Sequence, residues 1–406
     1  MSFGRADQDP VGLVLAGGGA RGAYEIGALA ALLPELEEHE RPQIVLGTSA
    51  GAINTAFLAA NLHRPLPELA RDGLALWRQI RSQEVLAPLL SLRELNRLGR
   101  YLGEVLGIPG VRSPSLLDPT PLTATLRRLI DFEQIHRNVA AGHLQCAAVT
   151  ASSAATNLSV VFHDGGSDLP PDLGRGIRYV SAELGEEHVR ASAAIPMVFP
   201  AVAVPVDGDR QWFFDGGTRL NTPIKPALAF GAGKLIVIAL NSLRPRRPRL
   251  PARRPDLLEG AAQLIQAVLV DPLVGDVRTL ARINEMLSDA SSEGVTAHER
   301  RTGRRRIPYI LIAPEDPDEI GRLATEVYRQ RFSSPLALAR SPNLATLGRL
   351  TGAGLDADHG ELLSYLFFTG EFTSRLIELG RRDAERWLRH PHDDGLWQLG
   401  GLPAAG

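Results

Sequence analysis

The sequence predicts an α/β protein in which a mostly parallel central sheet lies between two layers of helices, a three-layer α/β/α arrangement. Two strand-turn-helix units near the start support this prediction. The first joins an apolar run at residues 11–16, through a glycine-rich turn, to a helical pattern over 23–33. The second joins the apolar run 44–46 to a helical pattern over 52–60. Such repeats place strands in parallel, with right-handed crossovers and helices on the faces of the sheet.

The remaining elements follow from the same patterns. Residues 64–141 have helical spacing, and Thr120 precedes Pro121 as a cap residue precedes a favoured first-turn proline. Strands are predicted at 144–151 and 158–163, which form a hairpin, and at 212–214, 235–240 and 307–313. Helices are predicted at 256–288 and 360–390.

The best domain boundary is a loop rich in proline and arginine at residues 241–255. It separates a first domain, residues 1–240, from residues 256–406. We expect the second part to be an additional, mostly helical C-terminal region packed on the first domain.

Composition excludes several classes of protein. The chain has 44 basic and 46 acidic residues, so its net charge of -2 provides no global attraction to nucleic acid. The single cysteine, Cys146, excludes an intramolecular disulfide and a multi-thiolate metal site, and its apolar surroundings predict a buried thiol. No apolar segment approaches the roughly 20 residues that a membrane span needs. We therefore expect a cytoplasmic protein that meets membranes only at their surface.

The sharpest motif is G-x-S-x-G, formed by Gly47, Ser49 and Gly51. It follows an apolar strand and precedes a helix, which is the context that a nucleophile elbow requires. Glycine is needed at both ends because the strand and the helix are pressed together at so tight a turn. The serine hydroxyl is then raised above a helix N-terminus, which favours developing negative charge. Ser49 is the candidate nucleophile, with a structural turn serine as the alternative.

A second glycine-rich turn contains Gly17, Gly18, Gly19 and Arg21. It formally satisfies the dinucleotide-binding fingerprint, but the second strand ends at Gly47 without the carboxylate that would hold a ribose. We favour an oxyanion hole, in which consecutive backbone N–H groups point at one oxygen. For Arg21 the interpretations are orientation of this loop, contact with a phosphate head group, or an ordinary surface arginine.

Small residues line the helices that follow both turns. Ala23, Gly27 and Ala28 lie in the first helix, and Ala52 and Ala56 in the second. This pattern predicts close packing that brings the glycine loop beside Ser49, although alanine also favours helix for its own sake.

The serine needs a base to accept its proton. None of the ten histidines lies in a recognisable motif. Asp215 ends an aromatic strand and is followed by Gly216 and Gly217, which we expect to leave the carboxylate free of steric cover. On the residues alone, an ordinary Asp-Gly-Gly turn stays open as the alternative.

Four segments in this order resemble the patatin-like phospholipase family. Residues 17–22 resemble its oxyanion hole and residues 47–51 its nucleophile elbow. The segment ASAAIP at 191–196 is similar to its third block, which supports the site, and Asp215 with its two glycines matches the fourth.

By that resemblance residues 1–240 are a catalytic domain of patatin-like fold, and Ser49 and Asp215 form a Ser-Asp dyad. The implied activity is hydrolysis of acyl esters of phospholipids or neutral lipids through an acyl-enzyme, without metal or cofactor, with the oxyanion held near Gly18 and Gly19. Because no histidine takes part, the carboxyl must be a stronger base than a free aspartate with a pKa of about 3.9. Partial desolvation changes the pKa in that direction.

The expected partner is a lipid ester, met at a membrane surface, and the sequence assigns no oligomeric state. Basic segments at 244–254 and 300–306 are candidates for contact with anionic head groups, at about 1 kcal/mol per residue, or are solvated loops. The apolar stretch 86–90 is a candidate lid or is buried. The rival functions are a Ser-His-Asp esterase and a nucleotide-binding or non-catalytic lipid-binding protein.

Overall fold

The computed structural model describes residues 9–87, 117–196, 198–244, 306–334 and 357–400, and the single positions 96, 99, 100, 115, 284 and 344. Outside the described residues lie nearly all of the helix predicted over 256–288, most of the Pro/Arg-rich loop and most of both basic segments. The part of the apolar stretch 86–90 beyond residue 87 also lies outside them, whereas Leu86 is buried.

Nine strands and eleven helices are described, numbered here in chain order. The strands are β1 (Val11–Leu15), β2 (Pro42–Thr48), β3 (Cys146–Ser153), β4 (Ser159–Gly165), β5 (Ile177–Ser181), β6 (Val202–Val206), β7 (Asp209–Asp215), β8 (Lys234–Ile238) and β9 (Tyr309–Ile312). The helices are α1 (Gly22–Leu32), α2 (Ala50–Asn61), α3 (Leu66–Gln79), α4 (Ser82–Val85), α5 (Thr120–Leu129), α6 (Phe132–Ala140), α7 (Glu186–Ser192), α8 (Ile224–Ala229), α9 (Glu319–Arg331), α10 (Ala357–Leu366) and α11 (Gly370–Arg389).

The strands form one sheet in the order β5-β4-β3-β2-β1-β8-β9. Neighbours are parallel except for β3 and β4, which form the predicted antiparallel hairpin. The β6/β7 hairpin joins this sheet where β7 pairs with the end of β3. Helices flank the sheet, and α2 packs on β2 and β3. The predicted α/β fold with a mostly parallel sheet is therefore confirmed.

Two strands in the middle of the sheet are buried along their whole length. Every residue of β1 and β3 is inaccessible to solvent or nearly so, as expected for strands covered by helices on both faces. The edge strand β9 is also buried throughout. Cys146 at the start of β3 is a buried free thiol, as predicted, and burial raises its pKa. The edge strand β5 and strand β6 were not predicted, since four of the five residues of β5 are accessible and the apolar run of β6 contains Pro205, which is unfavourable in a strand interior.

The chain beyond residue 241 continues the same sheet. Strand β9 pairs in parallel with β8, and α11 packs along α1. The two helices approach so closely that a Cβ at Gly27 would overlap the backbone of Ile377, and one at Gly380 would overlap the Tyr24 carbonyl oxygen. The small face of α1 was expected to serve contact with α2. At Gly27 it serves contact with α11 instead.

The single helix predicted over 360–390 is two helices, α10 and α11. The break is stabilised by Thr369, whose Oγ1 accepts a hydrogen bond from the Phe372 N–H at 3.2 Å. Phe367 lies in the short segment of chain between α10 and α11 and is fully buried. The apolar pattern of the sequence therefore continues through the break. Among the residues described, no helix combines the length and apolar character that a bilayer crossing requires.

Candidate active site

Ser49 occupies the turn between β2 and α2. Its backbone has φ 55° and ψ -117°, an uncommon conformation for a residue with a side chain. A Cβ at Gly47 would overlap the Gly51 carbonyl oxygen, and a Cβ at Gly51 would lie 2.6 Å from the Leu15 oxygen. The predicted contact between strand and helix therefore explains the glycine at position 47, whereas the glycine at position 51 allows α2 to approach the end of β1.

The Asp215 carboxylate ends β7 beside this turn. Both Ser49 and Asp215 are buried, at 5% and 4% exposure. Burial raises the pKa of the Asp215 carboxyl to about 7, while hydrogen bonds from the Ser49 hydroxyl and from the Gly217 N–H act in the opposite direction. The bond from Gly217 is 2.7 Å long. The structure thus brings the two predicted residues into contact across more than 160 positions of the chain.

The structural reason for the glycine directly after Asp215 differs from the one expected. A Cβ at Gly216 would overlap the Thr150 carbonyl oxygen of β3, so glycine allows the end of β7 to approach β3 closely. The carboxylate was expected to be free of cover, and that expectation was wrong. Close approach buries it, and burial is the cause of its raised pKa.

The segment at 191–196 contacts both residues. The Ser192 hydroxyl accepts a hydrogen bond from the Ser49 N–H at 2.8 Å, and the Ala194 carbonyl accepts one from the Asp215 N–H at 2.8 Å. The sequence indicated that this segment supports the site, but not which atoms do so.

The glycine loop lies beside the elbow. A Cβ at Gly17 would be 3.2 Å from the Ser49 Cβ. The Gly17 N–H is already occupied, because it donates to the Asn221 carbonyl at 3.1 Å. Among the described residues, no acceptor takes the N–H groups of Gly18 and Gly19. Of the three glycines predicted to form the oxyanion hole, Gly18 and Gly19 therefore have backbone N–H groups available to donate to an oxyanion.

A further donor was missed in the sequence. Ala50 follows the candidate nucleophile and begins α2, where backbone N–H groups have no acceptor within the helix. Ala50 and Gly19 line the same cavity as Ser49. The signal was available, since the residue after the serine of a nucleophile elbow commonly donates to the oxyanion.

Arg21 is neither on the surface nor placed to meet a head group. Its side chain is buried, at 1% exposure, and its Nη2 forms an ion pair with the Glu361 carboxylate at 2.7 Å. Its guanidinium also contacts Ser364 and lies over the ring of Tyr365. The head-group and surface interpretations were wrong because the partners come from α10, far along the chain.

A cavity opens beside Ser49. Among the described residues, no charged side chain and no histidine lines it; the described lining residues are Gly19, Ser49, Ala50, Ile53, Leu76, Trp77, Ile80, Val85, Leu122, Thr125, Leu126, Leu129, Ile130, Ala193, Ile195, Phe199, Tyr365, Leu366 and Phe368. Within the described ranges, no group of three or more His, Cys, Asp or Glu side chains is placed to bind a metal ion.

Several solved structures are distantly similar. Human GIVD cytosolic phospholipase A2 is 13% identical, with a TM-score of 0.41, and the match covers 94% of this chain and 59% of that one. VipD from Legionella pneumophila is 12% identical, with a TM-score of 0.32, covering 76% and 62%. The ExoU-SpcU complex of the type III secretion system of Pseudomonas aeruginosa is 17% identical, with a TM-score of 0.26, covering 93% and 76%. This chain thus spans about three fifths of the length of the first two.

A search of curated protein sequences finds no match. The family model for patatin-like phospholipases, in contrast, matches residues 13–228, which is more than half of the chain. That range contains the glycine loop, the serine turn and Asp215. The chain belongs to the patatin-like phospholipase family.

Proposed function

We propose that this protein is a lipid acyl hydrolase in which Ser49 is the nucleophile and Asp215 is its base. Membership of the family implies a lipid hydrolase, and the roles of these two residues are the finer proposal. The observation that carries it is the position of the buried Asp215 carboxylate beside the Ser49 hydroxyl, where burial raises the pKa of the carboxyl to about 7. A base with a pKa near the working pH is well matched to proton transfer.

In the proposed acylation step, the Ser49 oxygen attacks the ester carbonyl and its proton passes to Asp215. The negative charge on the carbonyl oxygen is held by N–H groups of Gly18, Gly19 and Ala50. Collapse of the tetrahedral intermediate breaks the ester bond, and Asp215 returns the proton to the leaving alcohol. Water then attacks the acyl-enzyme, its proton passes through Asp215 back to Ser49, and the fatty acid is released.

The cavity supports an acyl chain as the group bound next to Ser49. The described residues of its walls are nearly all aliphatic or aromatic, so these residues provide no partner for a charged head group. Each methylene that enters such a cavity contributes about 0.8 kcal/mol. The head group would therefore remain outside. The predicted contact with a membrane surface and a cytoplasmic location stay predictions.

Two rival functions differ from this one in what they require. A Ser-His-Asp esterase requires a histidine at the nucleophile, whereas the buried His163 and His188 contact the Gly165 carbonyl and the Gly185 N–H respectively. A non-catalytic lipid-binding protein requires no activated serine, so it does not account for the buried carboxylate at the Ser49 hydroxyl.

Labelling by an alkyl fluorophosphonate and fatty-acid release from phosphatidylcholine test the proposal. We expect Ser49→Ala to abolish labelling, and both Ser49→Ala and Asp215→Asn to lower turnover by about a thousandfold or more. Matched controls are Ser181→Ala and Asp209→Asn, which change exposed residues of the same types. Full turnover in Asp215→Asn, or labelling that persists in Ser49→Ala, would contradict the proposal. Loss of hydrolysis on changing one histidine would favour the esterase alternative.

A further inference from the structure

The glycine loop is tied to a helix that lies far outside the part of the chain matched by the family model. Arg21 follows Gly19 by two positions, and its side chain extends to α10. There its Nη2 lies 2.7 Å from the Glu361 carboxylate and 3.1 Å from the Glu361 carbonyl, and its Nε donates to the Ser364 hydroxyl at 2.8 Å. All three side chains are buried. The ion pair is therefore shielded from solvent and from salt.

The backbone of the glycine loop also contacts α10 directly. A Cβ at Gly19 would overlap the carbonyl oxygen of Tyr365, so the loop backbone lies directly on the end of α10. The Tyr365 ring also lies over the Arg21 guanidinium, at 4.0 Å from the ring centre. Tyr365 and Leu366 then continue into the wall of the cavity beside Ser49. One helix end thus contacts both the loop and the space for the substrate.

A loop of consecutive glycines needs such an anchor if it is to stabilise charge. Glycine has more conformational freedom than any other residue, and Gly19 has a φ of 58°. Donors stabilise an oxyanion effectively only if they are already oriented before the charge develops. Among the described residues, the N–H groups of Gly18 and Gly19 donate no hydrogen bond that would fix their orientation, and the preceding backbone bond is the one from the Gly17 N–H to the Asn221 carbonyl.

We propose that α10 orients the oxyanion-binding loop, and that Glu361 and Ser364 are positioning residues that act through Arg21. The inference rests on the proposed function, because it assigns the loop a role in stabilising a tetrahedral oxyanion. On this reading residues beyond 241 form part of the reactive site, although the family model ends at residue 228.

Glu361→Gln tests the proposal, because it removes the counter-charge of Arg21 and keeps the side-chain shape. We expect the kcat/KM for ester hydrolysis to fall about 10- to 100-fold, near the effect of losing one oxyanion donor. The affinity for an alkyl trifluoromethyl ketone, which forms a tetrahedral adduct with the serine, should fall in parallel. The affinity for hexadecane, which occupies the cavity but has no oxygen for the loop to bind, should stay within about twofold. Glu378→Gln, an exposed change on α11, is the matched control.

Ser364→Ala is the second variant in case Glu361→Gln does not fold, since it leaves the ion pair intact. It should show the same pattern with a smaller loss. Unchanged ketone affinity in a folded Glu361→Gln protein, or an equal loss of ketone and hexadecane affinity, would overturn the positioning role. Failure of the proposed function is detected separately, as wild-type protein that fluorophosphonate does not label at Ser49.

Discussion

The Ser192 hydroxyl accepts a hydrogen bond from the backbone N–H of Ser49 at 2.8 Å, and both residues are buried. This bond fixes a backbone that has the unfavourable φ of 55°. Two positions after Ser192, the Ala194 carbonyl accepts the N–H of Asp215. One short segment therefore sets the positions of both groups that we propose to react.

We expect Ser192→Ala to weaken the positioning of Ser49 and Asp215 without removing a group that contacts the substrate. The buried Ser49 N–H would lose its acceptor, which costs about 1–3 kcal/mol of unfolding free energy. We expect turnover to fall about tenfold, because the serine would no longer be held against Asp215. Urea unfolding and fatty-acid release measure the two effects, with the exposed Ser181→Ala as the control. Wild-type turnover in Ser192→Ala would show that the elbow holds its geometry alone.

The raised pKa of Asp215 predicts a pH dependence of acylation. The carboxylate accepts the Ser49 proton only when it is ionised, and its pKa is about 7. The kcat/KM should therefore rise about tenfold per pH unit below 7 and level off above it. Stopped-flow measurement with a nitrophenyl ester checks this expectation. A profile that levels off near pH 4 would mean that the carboxyl is not the base or that its pKa is ordinary.

The same pKa predicts that Asp215 destabilises the folded protein at high pH. The folded-state pKa, about 7, lies above the ordinary value of 3.8, so the folded protein binds more protons between these limits and stability falls as pH rises. The difference corresponds to at most about 4 kcal/mol. Asp215→Asn should thus be more stable than wild type at pH 8, with an advantage that shrinks toward pH 4. Thermal unfolding across this range decides the question, and a constant difference would contradict it.

Parts of the fold and of the reactive pair could be predicted where residues close together in the sequence determine the structure. The glycine at position 47 was predictable because the overlap that a side chain would cause there, with the Gly51 carbonyl, lies within one turn, whereas the overlap at Gly51 is with the Leu15 oxygen of β1 and is not local. The contact between Ser49 and Asp215 was supported by the order of four segments. Strand β7 was predicted from its aromatic residues, of which Phe213 is fully buried.

Contacts between distant parts of the chain could not be predicted in this way. Arg21 has an ordinary sequence environment, and its burial depends on partners far along the chain, among them Glu361, 340 positions away. The break before α11 was missed because Phe367 is as apolar as a helix interior would require. The role of Gly216 depends on β7 lying against β3, which no local pattern encodes.

Gly380→Ala tests how much the packing of α11 on α1 contributes to stability. The added methyl group would overlap the Tyr24 carbonyl oxygen and lie 2.9 Å from the Ala28 nitrogen, so two helix backbones would have to separate. We expect a loss of about 3 kcal/mol or more in unfolding free energy. Gly174→Ala is the control, because a Cβ there meets only Asp172 at 3.6 Å. Equal melting temperatures for the two variants would show that the helices can move apart without cost.

Leu126→Trp tests the assignment of the cavity to the acyl chain. Leu126 is buried in α5 and lines the cavity, so a larger side chain there would take up space that a long chain needs. We expect hydrolysis of nitrophenyl palmitate to fall at least about tenfold relative to nitrophenyl butyrate, which needs only the part nearest Ser49. Leu173→Trp, at a residue 72% exposed and outside the cavity, should leave that ratio unchanged. If both esters slowed equally in a folded Leu126→Trp protein, the acyl chain would have to bind elsewhere.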